Sequence, residues 1–186
     1  RSCKKENVQS VIKEVSDDME TMNAYFESSG LKLNFAKTKL MIIRNNDLVE
    51  LPEEITILDG IKISRVTSHR FLGIQIDEKF NLKEHCSLLV DKLTQSSRAL
   101  SIIRHHLPQE MLIQFYHAHV MSHLYYCSFL MAKFTNQDIQ RIQRLQNRCI
   151  KIIFNLDSRH PTVDLFISYE HKSLPVIGII SAALMI

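Results

Sequence analysis

Four cations are spaced to act together. Arg141, Arg144, Arg148 and Lys151 fall at offsets of zero, three, seven and ten residues. On a helix this spacing gathers them into one stripe, with Ile139, Ile142, Cys149, Ile150 and Ile153 on the other side. Such a stripe can follow the phosphates of a nucleic acid, because each neutralised phosphate releases counterions and adds affinity independent of base sequence. The plain alternative is a solvated helix face, since charged outer faces are the rule on surface helices. His117, His119 and His123 raise metal chemistry. Residues four apart share a helix face, so His119 and His123 could reach one ion, but His117 falls on another face and no acidic ligand stands beside them. No metal site is expected. Asp77 has no paired carboxylate, and the chain has neither a glycine-rich phosphate loop nor a GxSxG nucleophile turn. Two-metal nucleotidyl transfer needs several carboxylates converging on two cations, and the sequence offers no such cluster.

The chain that must position these groups has 186 residues, 45% apolar and 23% charged, which fits a globular protein with a core and excludes disorder. A net charge of +3, from 23 basic and 20 acidic residues, matters for nucleic acid only if it is concentrated. Cys3, Cys86, Cys127 and Cys149 are scattered without a CxxC pair, which reads as reduced, mostly buried thiols rather than a disulfide frame or a zinc site. An intracellular protein of the nucleus or cytoplasm, not a secreted one, is the expectation, since nothing in the sequence reads as a signal peptide. The chain starts at Arg1 and reads as a piece of a longer protein. The apolar run Val176 to Ile186 falls short of the roughly 20 residues that cross a bilayer, so it reads as a core element and no membrane partner is expected. Oligomeric state is not legible.

Val8, Val11, Ile12, Val15, Met19, Met22 and Phe26 recur at helical steps, predicting a helix from about Glu6 to Ser28 that Gly30 closes. From Leu31 the period changes. Leu40 to Ile43 is a short apolar run, and Ile55 and Ile57 answer Ile61 and Ile63 across Leu58-Asp59-Gly60, a hairpin signature. Phe71, Leu72, Ile74 and Ile76 supply a further strand. Beyond Asp77 the pattern is helical: one helix through Leu89, Leu93, Ser96, Leu100 and Ile103, a second from Gln109 to about Met131, and a third capped by Thr135 with Asp138 and reaching about Asn155. The fold class is α+β: a small antiparallel sheet with a flanking helix over residues 1–80, then an all-α lobe over residues 81–186.

The segment Gly30-Leu31-Lys32-Leu33-Asn34-Phe35-Ala36-Lys37-Thr38-Lys39-Leu40-Met41 is similar to the one that follows the active-site strand in reverse transcriptases of non-LTR (LINE-type, jockey-like) retrotransposons. Ser68-His69-Arg70-Phe71-Leu72-Gly73-Ile74-Gln75-Ile76-Asp77 resembles that family's primer-grip strand. Ile103-Arg104 with Leu107-Pro108, then Leu112, Tyr116 and Ser122-His123-Leu124-Tyr125-Tyr126, resemble its thumb, and Ile142-Gln143-Arg144-Leu145-Gln146-Asn147-Arg148 its glutamine-rich basic helix. The series keeps family order from about residue 8 to 166; a departure is Phe129-Leu130-Met131 where many relatives carry tryptophan.

The resemblance implies the C-terminal part of a palm over residues 1–80 and a thumb over 81–186, from an RNA-directed DNA polymerase. Its partners in the intact enzyme are an RNA template and a DNA primer, and its cofactor is Mg2+. It implies that Phe71, Leu72 and Gly73 set backbone against the primer end, and that Lys37, with Lys39 competing, protonates the departing pyrophosphate or stabilises its charge. The family's metal-holding Tyr-Ala-Asp-Asp turn is missing from this sequence. The isolated chain is therefore expected to be inactive and to hold no metal. The rival reading is a non-catalytic nucleic-acid- or protein-binding module derived from a degenerate element.

Overall fold

The computed structural model describes residues 8–44, 51–57, 60–126, 128–162 and 165–166. The apolar run from Val176, Cys3, Cys127 and the Leu58-Asp59 part of the first hairpin turn lie outside them. The fold is mixed α and β, and the chain divides into two compact units, Arg1–Phe80 and Asn81–Ile186.

The first unit opens with helix α1, Val8–Ser28, whose half-buried positions Ile12, Val15, Met19, Asn23 and Phe26 form one stripe. It ends as Gly30 permits: with φ at +73°, the Gly30 and Leu31 amides turn back to the Glu27 and Phe26 carbonyls at 3.0 and 2.8 Å. This closes otherwise unpaired carbonyls of the last turn. Strands β1 (Glu54–Ile57) and β2 (Ile61–Ser64) pair antiparallel, with Ile55 opposite Ile63 and Ile57 opposite Ile61. Alternation puts Ile55, Ile57 and Ile63 on one buried face, against which Ile12 and Met19 of α1, with Phe35 and Leu40, are packed.

The expected single strand through Phe71 and Ile76 is instead a second hairpin. Strand β3 (Ser68–Phe71) pairs with β4 (Ile74–Asp77), and Leu72 and Gly73 make the turn between them. The two hairpins are separate two-stranded sheets. They are tied by the extended segment 40–44. The Leu40 amide donates to the Ser64 carbonyl at 3.2 Å and its carbonyl accepts from Val66 at 2.8 Å, while the Arg44 amide donates to the Glu78 carbonyl at 2.8 Å. The guanidinium groups of Arg44 and Arg65 both approach the Glu78 carboxylate at 3.5 Å, and that side chain is only 16% exposed.

In the second unit, α2 (Lys83–Ile103) buries Cys86, Leu89, Val90, Leu93, Ser97 and Leu100 at helical spacing. This stripe packs along α5 (Asn136–Ile153), which buries Ile142, Gln146, Cys149, Ile150 and Ile153. The second predicted helix is broken into pieces. Helix α3 (Gln109–Tyr116) runs into one π-turn, His117–Met121, then α4 (Ser122–Tyr125), and Tyr126 is extended. A 3-10 stretch, Ser128–Lys133, precedes α5. The wider π-turn admits Val120 and Met121 side by side to the interior, between Tyr116 and Leu124. This explains why the sequence carries apolar residues around so much of that helix.

A buried polar link joins these helices. The Gln146 amide donates to the Tyr116 hydroxyl at 3.0 Å and touches the Met121 sulfur at 3.6 Å. The Gln143 amide donates to Gln146 Oε1 at 3.2 Å, so the buried glutamine is satisfied at both ends.

Candidate nucleic-acid interface

Helix α5 positions the basic stripe because both of its ends are fixed. At the start, the Thr135 hydroxyl accepts from the Asp138 amide at 3.2 Å and donates to the Asp138 carboxylate at 2.7 Å. At the end, Asn155 takes the left-handed conformation with φ at +51°, and the Leu156 and Asn155 amides return to the Lys151 and Ile152 carbonyls at 2.9 and 3.3 Å.

Between these caps Arg141, Arg144 and Arg148 are exposed and Lys151 is half-buried. Arg144 Nε donates to the Gln140 carbonyl at 3.2 Å, and Lys151 Nζ donates to the Ser158 carbonyl. Among the described residues none of the four meets a carboxylate in an ion pair.

The four do not all line one cavity. Arg144, Arg148 and Lys151 line a cavity of about 450 Å³, and Arg104, the residue that ends α2, joins them there, with Ile152 and Leu156 supplying apolar wall. Arg141 lies apart, close enough to Cys86 to oppose the effect of Asp138 on that thiol. Arg104 is the residue that helical spacing could not find, because only the packing of α2 on α5 brings it to the cavity. Burial pushes the thiols of Cys149 and Cys86 up to about 11 and about 12, the second helped by Asp138. Both are free, buried and, as thiols, poor nucleophiles.

The remaining candidates belong to the first unit or to α3. Lys37 and Lys39 are exposed, and Lys37 sits in a turn where its amide donates to the Asn34 carbonyl at 3.0 Å. In the apolar run that follows, Leu40 to Ile43, strand pairing amounts to a single bridge between Leu40 and Arg65. Phe71 and Leu72 project at the tip of the second hairpin, 60% and 74% exposed. Leu72 has φ of +46° and Gly73 of +83°, the backbone of a type I′ turn. Leucine is poorly suited to that position, since the left-handed region costs an L-residue about 1–2 kcal/mol.

His119 stacks on Phe115 with ring centroids 4.3 Å apart. Burial, with Lys92 and His119 adding to it, holds His123 below the ordinary histidine range. Among the described residues no three His, Cys, Asp or Glu side chains gather to hold an ion, so they do not fit the Mg2+ that the resemblance implies. Among them, too, no helix is long and apolar enough to cross a membrane. Comparison with family models, with curated proteins and with solved structures returns no match to this chain.

Proposed function

We propose that the chain is the palm and thumb portion of a non-LTR retrotransposon reverse transcriptase, and that its helical unit grips an RNA–DNA hybrid through α5. The observation that carries the binding role is the cationic face of Arg141, Arg144, Arg148 and Lys151, joined by Arg104 and lacking ion-pair partners among the described residues. A purely solvated face gains little from collecting cations without counterions, whereas a polyanion supplies the missing charge. In the same reading Phe71, Leu72 and Gly73 at the hairpin tip are the primer-contacting element, and Lys37, or Lys39 near it, is the proton donor of the intact enzyme. Their exposure is compatible with both roles.

Binding to an RNA–DNA hybrid, titrated with salt, tests the grip. Affinity independent of sequence and falling steeply with salt is expected. Replacing Arg144 and Arg148 together with Gln should flatten the log–log slope by about two units, roughly one per lost phosphate contact, with helicity unchanged by circular dichroism. Equal slopes for the two folded proteins would reduce the face to ordinary surface charge. The 186-residue chain by itself should make no DNA on a primed template with Mg2+ or Mn2+, because the sequence lacks the family's Tyr-Ala-Asp-Asp turn and no carboxylate cluster for two-metal chemistry gathers among the described residues. Incorporation above a heat-inactivated control would overturn that.

A further inference from the structure

The cavity at the end of α5 differs from a stripe that a strand merely crosses. Its cations come from two walls. Arg144, Arg148 and Lys151 occupy two turns of α5, about 10 Å of helix, and Arg104 faces them from the end of α2.

Cations near helix C-termini have an ordinary explanation, because each terminus carries a partial charge of roughly −0.5. Here α2 and α5 both end at the cavity, so helix ends account for about one unit of negative charge against about four positive ones. Roughly three positive charges stay uncompensated. An internal phosphodiester brings one negative charge, whereas a terminal phosphomonoester brings about 1.5 to 2 at neutral pH. The cavity, at about 450 Å³, lies in the size range that accepts a small molecule, about 300–1,000 Å³. Ile152 and Leu156 can pack against a sugar or base while the cations hold its phosphate.

From this geometry we infer that the cavity formed by Arg104, Arg144, Arg148 and Lys151 is a receptor for the terminal phosphate of a nucleic-acid strand. The inference rests on the reading of α5 as a nucleic-acid grip and adds a register to it: one strand end is seated, and the rest of the backbone leads away past Arg141. Arg104 is the discriminating residue, because it serves the cavity without belonging to the stripe.

The test compares three RNA–DNA hybrids of one sequence, bearing a 5′-phosphate, a 3′-phosphate or hydroxyls only, binding to the full chain and to Arg104→Gln. The native chain should bind one phosphorylated hybrid about tenfold more tightly than the hydroxyl form, a difference of about 1.4 kcal/mol, and the preferred one identifies which end is seated. Arg104→Gln should bring the three affinities to within about twofold of one another, and because it also removes one cation from the grip it should weaken the hydroxyl form as well. Equal affinities of the native chain for all three hybrids would overturn the terminal-phosphate receptor and leave the α5 grip standing. No binding to any hybrid would overturn both. Circular dichroism of Arg104→Gln fixes its fold, and a folded variant that keeps the tenfold preference would also overturn the assignment.

Discussion

The two units use charge in opposite ways. In the first, Arg44 and Arg65 share the poorly exposed Glu78 carboxylate and Lys62 pairs with Glu54 across the β1–β2 hairpin, around a core of three buried isoleucines. In the second, Leu89, Leu93, Leu100, Leu112, Tyr116, Ile142 and Ile150 are all buried, and among the described residues none of Arg141, Arg144, Arg148 and Lys151 forms an ion pair with a carboxylate. A small core leaves polar contacts a larger share of the work of joining its hairpins. A large core can carry an uncompensated face, because like charges on a surface cost little compared with a buried leucine. In the first unit Arg44, Arg65 and Lys62 are matched by carboxylates of the same unit, and on the proposed reading the cations of α5 are matched by a bound polyanion.

Cutting into the larger core should have the greatest effect. Leu93→Ala, at a position with no exposure, should cost the second unit about 2–5 kcal/mol. Amide exchange should then show lost protection in α2 and α5 with β1 and β2 unchanged; equal loss in both units would mean they are one cooperative body and remove the contrast. Next comes the shared carboxylate: Glu78→Gln leaves two half-buried guanidinium groups without their anion, for about 1–2 kcal/mol. Its signature is faster exchange at β2 and β4, and an unchanged rate would show that the 3.5 Å contacts contribute nothing.

Leu72→Asn should stabilise the second hairpin by about 1 kcal/mol, since asparagine before glycine suits a turn that leucine enters under strain. A loss of stability would mean that the exposed leucine has a contact within the fold.

The smallest effect concerns pH. His85 and His123 are held below the ordinary histidine value, each mainly by burial and then by Lys92. The unfolded chain therefore takes up these protons first, and the second unit should lose stability as pH falls through about 6.5. Both rings are partly exposed, so solvent weakens the effect. Melting temperatures between pH 7.5 and 5 should fall for the native chain and fall less for a His85→Gln, His123→Gln double variant. Parallel curves would exclude these rings as the source.

Elements fixed by local chemistry were readable in the sequence. Gly30 closes α1, Thr135 opens α5, and the alternating isoleucines pair as β1 and β2, each through interactions within a few residues or directly across one turn. Elements that depend on packing were not. Leu72 makes the turn of the second hairpin where its residue type argues for continuing a strand, and the π-turn at His117–Met121 and the break at Tyr126 interrupt a run whose composition favours helix throughout. The basic face was legible as a line of residues along α5. Its concave end was not, because Arg104 reaches it from a helix more than thirty residues upstream.

The hydrogen bond between Gln146 and Tyr116 decides a compass bearing. Helix α5 is apolar on more of its circumference than it buries: Leu145 and Ile152 are only half-buried, and with Ile142 and Cys149 they form a second stripe that hydrophobic burial would also accept. Turning α5 to that stripe would swing its arginines part of the way around the axis and strand the Gln146 amide away from the phenol. Each stripe offers four apolar side chains, Ile142, Cys149, Ile150 and Ile153 or Ile142, Leu145, Cys149 and Ile152, so the number of apolar groups does not choose between them. One buried amide selects between them, so the direction in which the positive face looks outward is set from inside, by an uncharged pair.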